Sequence, residues 1–218
     1  MNDMFPILAV ETSGELCSAA VMLDEKNFVE LNYLQKHIHS EKLIDMIDTV
    51  LKTANIKLQE CKAVAVSMGP GSFTGLRIGL SAVKGIAFGK NLPIIPISTF
   101  EAYAYHIAQY IPITTKFIII RSASIDELYC AKFIKEENKV RVISPLRLVE
   151  KNNLEKIIEE GELLYGNVSS KNELKDAVGL TASAVGKWAY LFGNDLLTFN
   201  YDYLEPNYFK KFIVKVKS

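Results

Sequence analysis

The stretch Ser67–Asn91, SMGPGSFTGLRIGLSAVKGIAFGKN, has the glycine spacing of a phosphate-binding loop. A Walker A loop requires a lysine directly after its last glycine, where the ammonium group meets the phosphates. Here Leu76 follows Gly75, so we exclude that type of site. A dinucleotide fingerprint matches Gly69 and Gly71, but its third glycine comes one residue late and no ribose-binding acid follows the next strand. We do not favour that type either.

The loop precedes a predicted helix, so its amides can still face an anion. Hydroxyl side chains at the start of a helix more often accept hydrogen bonds from its free amides. Ser72 and Thr74 are therefore interpreted first as caps of this helix.

The three histidines offer little for metal or nucleophilic chemistry. His37 and His39 are two residues apart at the start of a predicted helix, where they do not share a face. His106 has no histidine four residues away, the spacing that places two imidazoles on one metal. No G-x-S-x-G elbow surrounds any serine. We predict no metal site and no catalytic residue.

Composition narrows the class of protein further. Lys plus Arg and Asp plus Glu both total 25, so the formal net charge is zero, which argues against a protein that grips nucleic acid by itself. The cysteines, Cys17, Cys61 and Cys130, are odd in number and widely spaced, which favours reduced thiols. No signal peptide or membrane span is evident. We expect a cytoplasmic protein.

The order of predicted elements repeats once along the chain. The first half has strands at 5–13, 17–24, 28–34, 63–72 and 93–99 and helices at 39–56 and 74–91. The second half has a helix at 99–111, strands at 115–124, 127–135, 139–149 and 162–167, and helices at 153–161 and 181–193. Three strands followed by alternating helices and strands occur in both halves. This order predicts an α/β protein of two lobes, 1–100 and a smaller 101–218, each with a mixed sheet flanked by helices.

Two helices of the first half present distinctive faces. In the helix at 39–56 the apolar residues recur at helical spacing, and Ser40 is a candidate N-cap. In the helix at 74–91, Gly75, Gly79 and Ala82 form a seam of small residues, with Arg77 pointing elsewhere. Each interior glycine costs about 1 kcal/mol relative to alanine, so close packing must compensate. The seam either packs on the protein's own sheet or helix, or it contacts a partner subunit.

The stretch SMGPGSFTGLRIGLSAVKGIAFGKNLPIIPISTFEA resembles the signature of the bacterial TsaB (YeaZ) family. LAVETS resembles the family's opening strand, with Glu11 where an aspartate is usual. HSEKLIDMI at 39–47 resembles its HSxxLLPxI helix, and LEPNYFK at 204–210 resembles its PxYLR segment. The resemblance covers nearly the whole chain.

This resemblance implies an ASKHA (actin-like ATPase, ribonuclease H-like) fold and a role in making N6-threonylcarbamoyladenosine beside the anticodon of tRNA. It implies a non-catalytic scaffold that pairs with TsaD, joined by TsaE, forms a homodimer without TsaD, and meets tRNA only through the complex. The implied partner interface, together with our seam, comprises His39, Ser40, Leu43, Ile44, Ile47, Thr74, Gly75, Arg77, Ile78, Gly79, Ala82 and Ile86.

Departures from the catalytic relatives support the non-catalytic interpretation. Their H-x-E-x-H-like metal ligands correspond to Thr99 and Tyr103 here, with Glu101 between, and neither is a usual ligand. RSASIDELY at 121–129 stands where the family has DARxxEVY, so an acid and an arginine are replaced by Ser122 and Ser124.

We therefore expect no cofactor on this chain, and ATP and a metal on the partner subunits. Thr12, Ser13, Gly69 and Gly71 are kept as a vestigial nucleotide loop. The alternative is a glycoprotease-like metallopeptidase or an independent ATPase.

Overall fold

The computed structural model describes residues 4–35, 38–166, 173–175 and 179–209. His37 and the end of the chain from Lys210 lie outside these residues.

The first sheet has five strands: β1 (Ile7–Glu11), β2 (Leu16–Met22), β3 (Phe28–Leu34), β4 (Ala63–Ser67) and β5 (Ile94–Ile97). Their order across the sheet is β3-β2-β1-β4-β5. Strands β1, β2 and β3 form an antiparallel meander, and β1, β4 and β5 run parallel. Every residue of β1, β2 and β4 is buried, as is expected for strands covered on both faces.

Two helices cover one face of this sheet, α1 (His39–Thr53) and α2 (Phe73–Lys90). Leu43, Met46, Ile47 and Val50 of α1 recur at helical spacing and pack with apolar residues of β1, β2 and β4. Helix α1 begins at His39 with Ile38 at its N-cap, and no side chain caps it. The prediction of Ser40 as N-cap was therefore wrong.

The second sheet repeats the topology of the first. Its strands are β6 (Lys116–Ser122), β7 (Glu127–Lys135), β8 (Val140–Glu150), β9 (Leu163–Gly166) and β10 (Glu173–Lys175). The order β8-β7-β6-β9-β10 matches β3-β2-β1-β4-β5, with the same antiparallel and parallel pairs. The predicted fold class is confirmed. Strand β10 was not predicted, and the short helix α4 (Leu154–Ile157) precedes β9.

Helices α3 (Thr99–Ala108) and α5 (Ala182–Phe192) lie between the two sheets and share one core with both. Although α5 belongs to the second half of the chain, its first amide, that of Ala182, donates to Ser18 Oγ of β2 at 2.8 Å. Gly186 of α5 lies so close to Met22 of β2 that a Cβ added at Gly186 would be 2.6 Å from the Met22 Cγ. The lobes thus do not follow a simple division of the sequence at residue 100.

The segment after α5 also returns to the first lobe. Thr198 forms a bridge with Ile94 at the edge of the sheet. The Tyr201 hydroxyl donates to the Leu92 carbonyl at 2.7 Å, and the Asn207 amide donates to the Met68 carbonyl at 2.7 Å. The end of the described chain therefore supports β5 and the glycine-rich loop. No helix within the described ranges is long and apolar enough to span a membrane.

Candidate functional site

A cleft of about 490 Å³ opens between the lobes where β1 ends. Three segments of the first lobe line it: the turn after β1 with Ser13 and Gly14, the start of α1 with Ser40, and the glycine-rich loop. The second lobe contributes Arg121 at the end of β6. The carboxyl ends of parallel strands in α/β sheets are where ligands commonly bind, so this cleft is the first candidate site.

A buried carboxylate organises the floor of the cleft. Glu11, only 1% exposed, accepts from the Ser13 amide at 2.5 Å and from the hydroxyl of Ser67, the last residue of β4. Burial raises the pKa of Glu11, while these hydrogen bonds and the charge of Arg121 partly offset that rise. Both carboxylate oxygens of Glu11 therefore accept hydrogen bonds from the protein itself.

Arg121 brings a buried cation from the second lobe to this carboxylate. Its guanidinium lies directly against Gly14, where a side-chain Cβ would overlap it, and its Cζ is 5.7 Å from the Tyr103 ring centre. Burial lowers the pKa of Arg121, and the charges of Glu11 and Glu15 oppose that shift. The buried charges of Arg121 and Glu11 thus influence each other across the junction of the two sheets.

The glycine-rich loop is held by backbone contacts on both sides. Gly69 has φ +106°, a conformation that favours glycine. Its amide donates to Thr99 Oγ1 at 3.1 Å, and the Thr99 amide donates back to its carbonyl at 3.0 Å. At the other end, the Ser72 amide donates to the Ser13 carbonyl at 2.7 Å. Ser72 also accepts from the Gly75 amide at 3.2 Å, which confirms its predicted role as cap.

The four residues kept as a vestigial nucleotide loop are only partly brought together. Ser13 and Gly71 meet at the cleft, where a Cβ on Gly71 would overlap the Ser13 backbone. Gly69 lies away from it, against Thr99 and Asn207. Among the described residues, the buried hydroxyl group of Thr12 has no hydrogen-bond partner.

The small-residue seam of α2 faces inward. A Cβ on Gly75 would overlap the Thr12 carbonyl, and a Cβ on Gly79 would overlap the Thr12 hydroxyl. Both glycines are buried. The geometry selects the internal alternative for these two residues, because the end of β1 occupies the space beside them. Whether Gly75 and Gly79 also contribute to a partner interface stays a prediction.

The remaining predicted interface residues divide by exposure. Leu43 and Ile47 pack on the first sheet, and buried His39 places its Nε2 3.3 Å from the Leu16 carbonyl. Ile44 is 56% exposed. Ser40 and Thr74 are exposed as well, while Ile78, Ala82 and Ile86 are half-buried along α2. We call the outward-facing set, Ser40, Ile44, Thr74, Ile78, Ala82 and Ile86, the α1/α2 surface.

Arg77 is exposed but held by aromatic residues at the edge of α2. Its Nε donates to the Tyr208 hydroxyl at 2.8 Å, and its Cζ lies 3.9 Å from the centre of the Phe73 ring. This contact ties α2 to the segment that resembles the family's PxYLR motif. A role of Arg77 at a partner interface stays a prediction.

The cleft does not fit a metal-bound nucleotide. Glu11 is fully engaged by Ser13 and Ser67, and the Arg121 guanidinium covers Gly14 of the turn. Ser122 and Ser124, where the family pattern has an acid and an arginine, offer no carboxylate. Across the described ranges, no three His, Cys, Asp or Glu side chains converge on a possible metal position.

The positions that correspond to the relatives' metal ligands have structural roles here. Thr99 is fully buried and caps the Gly69 amide. Tyr103 is 2% exposed and lies in the core shared by both sheets. Sequence reasoning missed the role of Thr99 and the burial of Arg121. The one signal for Arg121 was its position at the end of the apolar strand KFIIIR.

Comparison with known proteins identifies the family. Residues 33–201, well over half of the chain, match the family model described as TsaD, tRNA N6-adenosine threonylcarbamoyltransferase. The chain belongs to the TsaD family. Among TsaD-family relatives, it is 34% identical over 131 residues to "tRNA threonylcarbamoyladenosine biosynthesis protein TsaB" of Haemophilus influenzae, covering 60% of this chain and 55% of that protein. For the protein of the same name from Escherichia coli the identity is 32% over 134 residues, covering 62% and 57%.

The match thus spans little more than half the length of these curated relatives. Among solved structures, YeaZ from Pseudomonas aeruginosa superimposes with a TM-score of 0.76 at 20% identity, covering 93% of this chain and 98% of that one. At this identity the likeness concerns the fold. Together these findings show membership of the TsaD family, similarity to proteins named TsaB, and the predicted ASKHA fold.

Proposed function

We propose that this protein is a non-catalytic subunit in the synthesis of N6-threonylcarbamoyladenosine on tRNA, where it pairs with TsaD and TsaE. The observation that carries the proposal is the position of Thr99 and Tyr103 within a chain of the TsaD family. Both side chains are buried in contacts of the fold, so neither is available to a metal. The catalytic work is then assigned to the partner.

The nature of the cleft supports the same assignment. A chain that hydrolysed ATP would need groups for a metal and for phosphate charge. Here the buried charges of Arg121 and Glu11 influence each other, and the hydrogen bonds of Glu11 engage both of its oxygens. We therefore propose that ATP and a metal act on the partner subunits.

The α1/α2 surface is proposed as the contact with TsaD. Its residues come from two adjacent helices on one face of the first sheet, and Ile44 is an exposed branched residue on a helix that already buries its inner face. Apolar side chains exposed beside half-buried ones are typical of an association surface. We propose that a homodimer uses this same surface when TsaD is absent.

The direct test is reconstitution of the reaction with the TsaD and TsaE of the same organism, reading modified adenosine on tRNA by mass spectrometry. We expect formation to depend on this chain, and Ile44→Glu to reduce it at least tenfold. Ile125→Glu is the matched control because Ile125 is an equally branched residue, 86% exposed, in the β6–β7 turn and outside both α1 and α2.

Two results would count against the proposal. A reaction that runs equally well without this chain would remove the need for a subunit. Equal activity of the Ile44 and Ile125 variants would move the contact away from the α1/α2 surface.

A further inference from the structure

A second groove lies on the opposite side of the first sheet from the α1/α2 surface. It has a volume of about 420 Å³ and is formed by α3, α5, the edge strand β8 and the turn after α5. Its volume is within the range of small-molecule sites, which commonly measure about 300–1,000 Å³. Nothing in the proposed function uses this groove.

Aromatic rings dominate its walls. Phe133 and Trp188 are almost completely buried at its base, and Phe192 is 47% exposed at its mouth. The Phe192 ring lies 5.5 Å from both the Trp188 ring and the Tyr105 ring, centre to centre. Because these rings are tilted relative to one another, both ring faces and ring edges border the groove.

Two carboxylates and one ammonium group line the groove, which leaves an excess of negative charge at the rim. Glu101 of α3 and Asp195 of the turn after α5 both line the groove. Within the described ranges neither carboxylate is in an ion pair. Partial burial raises the pKa of Glu101, with no cation to offset the shift. Lys139, the one cation at the rim among the described residues, has its Nζ 3.6 Å from a carboxylate oxygen of Glu136.

Aromatic faces and carboxylates together attract a cation that also carries apolar surface. A ring face attracts a nearby ammonium group, the more strongly when water is excluded. The carboxylates add the charge attraction that selects against neutral and anionic molecules of the same shape.

We propose that this groove binds a small organic amine in its protonated form, with an apolar body against Trp188 and Phe192 and an ammonium group near Glu101 and Asp195. Its volume and its buried aromatic base favour a small molecule over an extended polypeptide. This site is separate from the α1/α2 surface and does not depend on the proposed pairing with TsaD.

The sequence supplies a specific reporter, since Trp188 is the single tryptophan of the chain. We would titrate the full-length protein with 4-phenylbutylamine, with its neutral isostere 4-phenylbutanol and with the anionic 5-phenylpentanoate, following Trp188 emission. The expected result is a saturable change with the amine, at a Kd at least tenfold below that of the alcohol and further below that of the carboxylate.

Glu101→Gln combined with Asp195→Asn should bring the Kd ratio of amine to alcohol close to one. The matched control is Glu41→Gln with Asp45→Asn, two exposed carboxylates of α1, which should leave the ratio unchanged. Equal binding of amine and alcohol, no saturable change up to 20 mM, or an unchanged ratio in the Glu101/Asp195 variant would overturn the proposal. Tighter binding of the blocked peptide acetyl-Leu-Lys-Leu-amide than of the amine would assign the groove to a protein segment and overturn it as well.

Discussion

Gly79 of α2 lies against the hydroxyl group of Thr12, so closely that a Cβ on Gly79 would overlap that oxygen. This contact lets α2 approach the end of β1 and thereby sets the distance between the glycine-rich loop and the turn that lines the cleft. The fold therefore requires a glycine at position 79.

Gly79→Ala should therefore destabilise the protein, by about 1–3 kcal/mol as for other overpacked sites. The intrinsic helix preference of alanine acts in the opposite direction, by about 1 kcal/mol. The measurement is the free energy of unfolding in urea.

Gly85→Ala is the control on the same helix. Apart from the backbone of α2 and the adjacent residues, no atom of the described residues lies within 4 Å of a Cβ built on Gly85, so this variant should gain about 0.4–1 kcal/mol. A Gly79→Ala protein as stable as the Gly85→Ala protein would contradict the internal packing of the seam.

Arg121→Met tests the electrostatic junction of the lobes. The variant removes the buried cation whose charge favours the ionised form of Glu11, so we expect a loss of stability of about 1–3 kcal/mol. Loss of the cation raises the pKa of Glu11 further, so stability is retained at low pH and lost as the pH rises above the ordinary glutamate value of 4.5. Urea unfolding at pH 5 and pH 8 should show the larger deficit at pH 8.

Glu11→Gln combined with Arg121→Met should recover part of that deficit, since no charge is then left uncompensated. Arg141→Met replaces an exposed arginine of β8 and should change stability little at either pH. A deficit in Arg121→Met that is the same at both pH values would show that lost packing, and not charge, is responsible.

His106 gives a separate dependence on pH. Burial lowers the pKa of this imidazole from its ordinary value of 6.5, with a smaller opposing effect of Glu30. Protonation therefore favours the unfolded chain, and the stability that neutral His106 contributes is present above pH 6.5 and lost as the pH falls below it. The urea midpoint of the wild type should fall relative to that of His106→Gln between pH 8 and pH 5.5. Parallel pH profiles of the two proteins would refute this assignment.

Much of the fold could be predicted from the periodic spacing of apolar residues in the sequence. The strands Phe28–Leu34 and Glu127–Lys135 occur at the predicted bounds, because turn-forming residues flank apolar or alternating runs. The repeated order of elements also led to the correct fold class. By contrast, the three-residue strand β10 is too short for any periodic signal.

The candidate site could be predicted less well from the sequence, because it depends on which surfaces of the folded chain come together. A small-residue seam looks the same whether β1 or a partner covers it, and only the fold brings Thr12 beside Gly79. Arg121 ends an apolar strand, yet it is buried against Gly14, which lies far away in sequence and in the other lobe. The return of Asn207 to Met68 likewise joins segments that no local pattern relates.

The central claim is that this chain acts by pairing with TsaD. The most direct measurement is size-exclusion chromatography with light scattering, on this protein by itself and mixed with the TsaD of the same organism. We predict a new peak with the mass of one copy of each, formed at the expense of any homodimer, and its absence with Ile44→Glu but not with Ile125→Glu. Elution of the two wild-type proteins as separate species of unchanged mass would contradict the account.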